Sequence, residues 1–162
     1  MKKVILLIVL AALLTGCGGK ETLETISDEL VVPVMAQPEE ILVNLPGEAA
    51  MPAMESDTGR MYLANDYEIY IQTLESGDLE KTIQTLSGYE KEDLTVMQTA
   101  SDGVDRYEFV WTCMGETGER LGRAVVLDDG NYHYTMTVLR NADTTENTQI
   151  VWNDVFRSFA LG

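Results

Sequence analysis

The sequence predicts an α+β domain: an antiparallel sheet of about six strands with a four-stranded C-terminal meander, one helix between strands and a closing C-terminal helix. Three observations predict it. Asp102-Gly103 and Asp129-Gly130 each sit between segments that alternate apolar and polar residues, as tight hairpins require. Leu79, Ile83 and Leu86 fall at helical spacing, with Ser76 or Asp78 placed to cap the start and Gly88 to end the helix in the left-handed conformation. Ile150, Val151, Val155 and Phe159 form a second apolar stripe, behind Asp143 and Glu146 at capping-box spacing, which predicts a helix over 145–160 that covers the sheet.

Taken in order, Ile41, Val43 and Leu45 alternate before Pro46-Gly47, a strand closed by a turn. Residues 48–60 have no periodicity. Residues 60–64 and 67–72 pair across Asn65-Asp66, and the helix spans 79–87. The meander occupies 94–101, 104–114, 120–128 and 131–140. A two-residue turn at 102–103 sets Val96 opposite Phe109 and Leu94 opposite Trp111. The same turn at 129–130 sets Leu127 opposite Tyr132, Val125 opposite Tyr134 and Leu121 opposite Val138. Between the two hairpins, a three-residue loop at 116–118 with Gly118 bulged brings Phe109 opposite Val125 and Cys113 opposite Leu121. One main buried face then holds Leu94, Val96, Tyr107, Phe109, Trp111, Cys113, Leu121, Val125, Leu127, Tyr132, Tyr134, Met136 and Val138.

The 162 residues are enough for one domain, and 45% hydrophobic content is that of a globular chain. Twenty-seven acidic against 11 basic side chains give a net charge of −16, which repels phosphate backbones and argues against nucleic acid as a partner.

Lys2 and Lys3 precede an unbroken apolar run from Val4 to Leu14, the charged and hydrophobic regions of a secretory signal. The run is too short to span a bilayer, which takes about 20 residues. It ends at Leu14-Thr15-Gly16-Cys17, which resembles the lipobox of bacterial lipoproteins. That resemblance implies cleavage of a signal peptide at 1–16 and attachment of diacylglycerol, with palmitate-like chains, to the Cys17 thiol. The mature chain would have 162 − 16 = 146 residues and a charge of −16 − 2 = −18. Two acyl chains anchor stably where one does not. Residues 17–38, with Gly18-Gly19, several charges and two prolines, read as a flexible tether of nanometre reach. Leu23, Ile26 and Leu30 at helical spacing allow a short helix within it. The implied location is the extracytoplasmic side of the cell membrane, held by lipid.

The strand pair, helix, meander and final helix, with Tyr132-His133-Tyr134 and the ending Val155-Phe156-Arg157-Ser158-Phe159, resemble the PsbP-like α/β/α sandwich over residues 39–162. The resemblance implies an accessory or assembly subunit and carries over no active-site residue.

Chemistry-bearing patterns are sparse. His133 is the single histidine and reads as a surface or helix-facing residue, not a metal ligand. Met51, Met54 and Met61 have thioether spacing that could hold Cu(I), but flexible gap-filling is the common role of methionine. Asp128, Asp129 and Asn131 are explained by the hairpin, and Cys113 by a small apolar position beside Trp111. Hydrolase, zinc-protease and nucleotide-loop motifs are absent. Arg123 breaks the pattern, because the predicted register sets it on the apolar face beside Trp111. The two are the candidate contact for a ligand or partner. The expectation is therefore a non-enzymatic, membrane-anchored lipoprotein without cofactor or metal, binding a protein partner with a basic surface. The alternatives are an extracytoplasmic enzyme acting on envelope polymer and a small-ligand or metal-binding lipoprotein.

Overall fold

The computed structural model describes residues 36–49, 51–116, 118–142 and 146–162, all within one compact unit. The signal peptide, Cys17, the short helix around Ile26, residues 17–35 of the tether and the capping Asp143 lie outside the described residues.

The strands are β1 (Ile41–Leu42), β2 (Met54–Ser56), β3 (Gly59–Leu63), β4 (Tyr67–Glu75), β5 (Met97–Ser101), β6 (Val104–Gly115), β7 (Gly118–Asp128), β8 (Tyr132–Asn141) and β9 (Ala160–Leu161). Helix α1 (Leu79–Ser87) follows β4 and helix α2 (Glu146–Ser158) follows β8. Seven strands form one antiparallel sheet in the order β2-β3-β4-β8-β7-β6-β5, while β1 pairs only with β9. The predicted α+β class stands. The strand at 41–45 is shorter than its alternation suggested and lies outside the main sheet. Residues 48–60 lack periodicity but contribute β2, which folds onto β3 with Ser56 opposite Gly59.

Local chemistry explains the elements that match expectation. Asp78 accepts the Glu80 N–H at 3.0 Å, and Gly88 at φ 80° closes α1 with its N–H on the Gln84 carbonyl. Asp102 and Gly103 both take positive φ, 53° and 82°, so β5 and β6 meet in the predicted register, Ser101 opposite Val104.

Two registers differ. Gly115 pairs with Gly118, leaving two positions to turn the chain instead of a bulged loop of three. Phe109 therefore faces Ala124, and Val125 points to the opposite side of the sheet. Asp128 pairs with His133, so Leu127 opposes Tyr134 and Val125 opposes Met136, two residues from the expected alignment. The cause lies in Asp129, whose carboxylate accepts the Asn131 and Tyr132 N–H groups, each at 2.7 Å, and so holds a wider loop. A shift of two keeps every side chain on its face; the shift of one at Gly118 does not.

The single buried face expected of the meander is consequently two. On one side, Ile83 of α1 packs on Phe109, Trp111, Ala124 and Val126, flanked by Leu94, Val96, Tyr107 and Cys113. On the other, Trp152, Val155, Phe156 and Phe159 cover Ile69, Ile71, Val125, Leu127, Tyr134, Met136 and Val138. Each fully buried side chain of this size contributes about 1.5–3 kcal/mol. The two helices thus lie on opposite faces, and the four consecutive residues Ala124 to Leu127 are all buried, as in a strand covered on both sides.

Candidate functional site

Where α2 crosses the sheet, its side chains meet a row of arginines. Arg106 on β6, Arg123 on β7 and Arg140 on β8 share the α2 face, with Leu121 opposite Arg140 and Arg123 opposite Val138. Arg123 and Arg140 are diagonal neighbours, within about 8 Å at their β-carbons. Glu108 binds two of the three, accepting from Arg106 Nε at 2.8 Å and from Arg123 Nη2 at 2.9 Å. Burial pushes the Glu108 carboxyl up, but the hydrogen bonds from Arg123 and Arg106 outweigh it and hold the carboxyl below its ordinary value.

The same arginines fasten α2. Arg106 donates to the Phe156 carbonyl in the last turn of α2 at 2.6 Å and to the Phe159 carbonyl just beyond it at 2.9 Å, where a cation suits the helix end. Arg123 Nη1 donates to Asn153 Oδ1 at 2.9 Å, and its guanidinium stands 4.1 Å from the centre of the Phe156 ring. Trp152 meets Tyr67 edge to face at 4.9 Å. Between α2 and the sheet lies a cavity of about 170 Å³ lined by Val110, Leu121, Arg123, Arg140, Trp152, Asn153 and Phe156.

Arg140 differs from its neighbours. Arg60, Arg106, Arg120, Arg123 and Arg157 each pair with a carboxylate, whereas Arg140 has none among the described residues. Its Nη1 is buried with no hydrogen-bond partner. Burial, and then the adjacent Arg123, pull its pKa below the usual arginine value.

Trp111 and Arg123, expected side by side, lie on opposite faces of the sheet, because Trp111 opposes Gly122 and packs with the α1 cluster. Arg123 keeps its place as a cation among apolar residues, but its aromatic neighbour is Phe156. Once the register is known, Arg140 follows from its position across from Leu121.

His133 is fully buried and helix-facing: Nδ1 lies 2.9 Å from Thr82 Oγ1 of α1, and Nε2 lies 3.3 Å from Asp128 Oδ2. The second approach has the distance of an ion pair but not the alignment of a hydrogen bond. The order Thr-His-Asp is that of a nucleophile relay, yet Thr82 is 9% exposed and His133 0%, so no substrate reaches it. Met51 and Met54 are exposed, Met54 lying across from Met61, and Cys113 is a half-buried free thiol against the α1 cluster. Asp128 and Asp129 accept the Gly130, Asn131 and Tyr132 N–H groups, as the hairpin reading expects.

A second, larger hollow of about 500 Å³ lies beside the β2–β3 turn, with Glu39, Glu40, Asp57, Glu75, Arg60 and Tyr132 in its walls. Among the described residues, no three His, Cys, Asp or Glu side chains gather as a metal site, and no helix is long and apolar enough to cross a membrane.

Residues 1–17 match the family model of the prokaryotic membrane lipoprotein lipid attachment site, which ends on Cys17. The match supports a bacterial membrane lipoprotein anchored by lipid through that cysteine. No curated protein and no solved structure matches the chain.

Proposed function

We propose that this lipoprotein works without catalysis on the extracytoplasmic side, where its domain docks a protein partner as an accessory subunit of an envelope complex. One observation carries the docking reading. Beyond the cover of α2, the same sheet face continues through Val110, Thr112 and Met114 of β6 and Met97 of the edge strand β5, all exposed. Met114 is 81% and Met97 61% exposed. Val110, Met114 and Met97 thus leave large apolar side chains open along one sheet face, which suits an interaction surface.

Further features support the reading. Hydrogen bonds hold the Glu108 and Asp129 carboxyls below their ordinary values, the opposite of what a general acid needs at those two positions. The strong negative charge suits a partner bearing basic residues, and a tethered domain on a two-chain anchor converts weak affinity into avidity. We assign the domain to the PsbP-like type of sandwich. Helices on opposite faces of an antiparallel sheet and the buried Phe159 of the C-terminal ending support this.

Crosslinking in intact membranes, read by mass spectrometry, tests the proposal. The expected result is one recurrent protein partner, lost in Met114→Glu and weakened as salt rises. Recovery of no partner, together with turnover of an envelope polymer by the protein, would replace this reading with an enzyme.

A further inference from the structure

Beyond docking, we infer that the cavity between α2 and the sheet binds a small organic carboxylate, with Arg140 and Arg123 facing the anion and Trp152, Phe156 and Leu121 around its apolar stem. Among the described residues, the one carboxylate at ion-pair distance from the guanidiniums of Arg106, Arg123 and Arg140 is Glu108, which is shared by Arg106 and Arg123. Among the described residues Arg140 has no counter-charge, and its Nη1 is buried without a hydrogen-bond partner. A half-buried arginine that no described carboxylate reaches, with a buried and unpartnered Nη1 at a cavity wall, suits an anion supplied from outside.

Shape and chemistry define the class. Asn153 turns its Oδ1 to Arg123, so its amide nitrogen is a further donor beside the two guanidiniums. The remaining walls are aromatic and aliphatic, which favours a carbon stem over a fully hydrated oxyanion such as phosphate. At about 30 Å³ per water, 170 Å³ holds about six water-sized groups, the size of butyrate. A free short-chain acid and the chain end of a peptide present the same carboxylate.

The test is titration of the mature lipidated protein, in neutral detergent, with butyrate, inorganic phosphate and an acetylated peptide ending in valine, followed by calorimetry. Saturable one-to-one butyrate binding is expected, at least about tenfold tighter than phosphate. Arg140→Gln should weaken it by about tenfold or more, while Arg60→Gln, at an exposed ion pair away from the cavity, leaves it within about twofold. Val110→Trp changes an exposed residue at the cavity wall and should block binding even if Arg140→Gln fails to fold. Stronger binding of butyrate than of the peptide assigns a free acid, and the reverse assigns a chain end. No saturable carboxylate binding, phosphate bound as tightly as butyrate, or binding unchanged by Val110→Trp would overturn the inference.

Discussion

The Trp111 indole lies against the backbone of Gly122, its cross-strand partner, and occupies the space a β-carbon there would need. Ring atoms Cε2, Cζ2 and Cδ2 are the nearest neighbours of that position. An alanine must displace the indole from a packed core in which Trp111 is 6% exposed. Gly122→Ala is therefore expected to cost about 2–4 kcal/mol in urea unfolding. Combined with Trp111→Leu, the loss should fall short of the sum of the single losses by at least about 1 kcal/mol. Additive losses would show that the indole does not occupy that space.

The same pair shows what the sequence made legible. Asp102-Gly103 could be read directly, because positive φ at both positions leaves few alternatives. Asp78 and Gly88 fixed the ends of α1 for the same kind of local reason. The loop before Gly118 could not be read so, because a bulge there gathers all apolar residues on one face, whereas the sheet has two buried faces. The run Ala124-Val125-Val126-Leu127 was the signal for a strand covered on both sides. Arg123 stood out as a charge among apolar residues, but the inverted face gave it Trp111 in place of Phe156. Arg140, near the end of β8, showed nothing unusual until the register placed it across from Leu121.

Acid stability should follow Glu108 and Asp129. Asp129 is pushed up by burial, but the Tyr132 and Asn131 N–H groups and the Tyr134 hydroxyl hold it below its ordinary value. With folded values below unfolded ones, both carboxyls stabilise the fold above the ordinary carboxylate range. That contribution is lost as pH falls through their lowered folded values. Glu108→Gln should lower stability at neutral pH by about 1–3 kcal/mol and flatten the loss on the acid side. Urea unfolding across pH 2 to 7 reads both; an unchanged acid slope would remove Glu108 from the account.

Alkaline stability depends on Tyr134 in the opposite sense. Burial, with Asp129 accepting from its hydroxyl at 2.9 Å, raises its pKa from 10.0 to about 12, although the Glu39 N–H bond opposes the shift. Between those values the unfolded chain loses the proton first, so stability falls as pH rises from 10.0 towards 12. Tyr67, Tyr70 and Tyr107 are raised as well, so Tyr134→Phe should reduce this loss without abolishing it. A slope identical to that of the unmodified protein would show that the hydroxyl is not held as described.

The docking proposal depends on where the chain is held, and the intact mass of the protein extracted from bacterial membranes tests that most directly. The account predicts a chain that begins at Cys17 and carries a diacylglyceryl group, with membrane association lost in Cys17→Ser. An unlipidated chain in the membrane fraction, or a Cys17→Ser protein that still partitions into detergent at the mature mass, would contradict it.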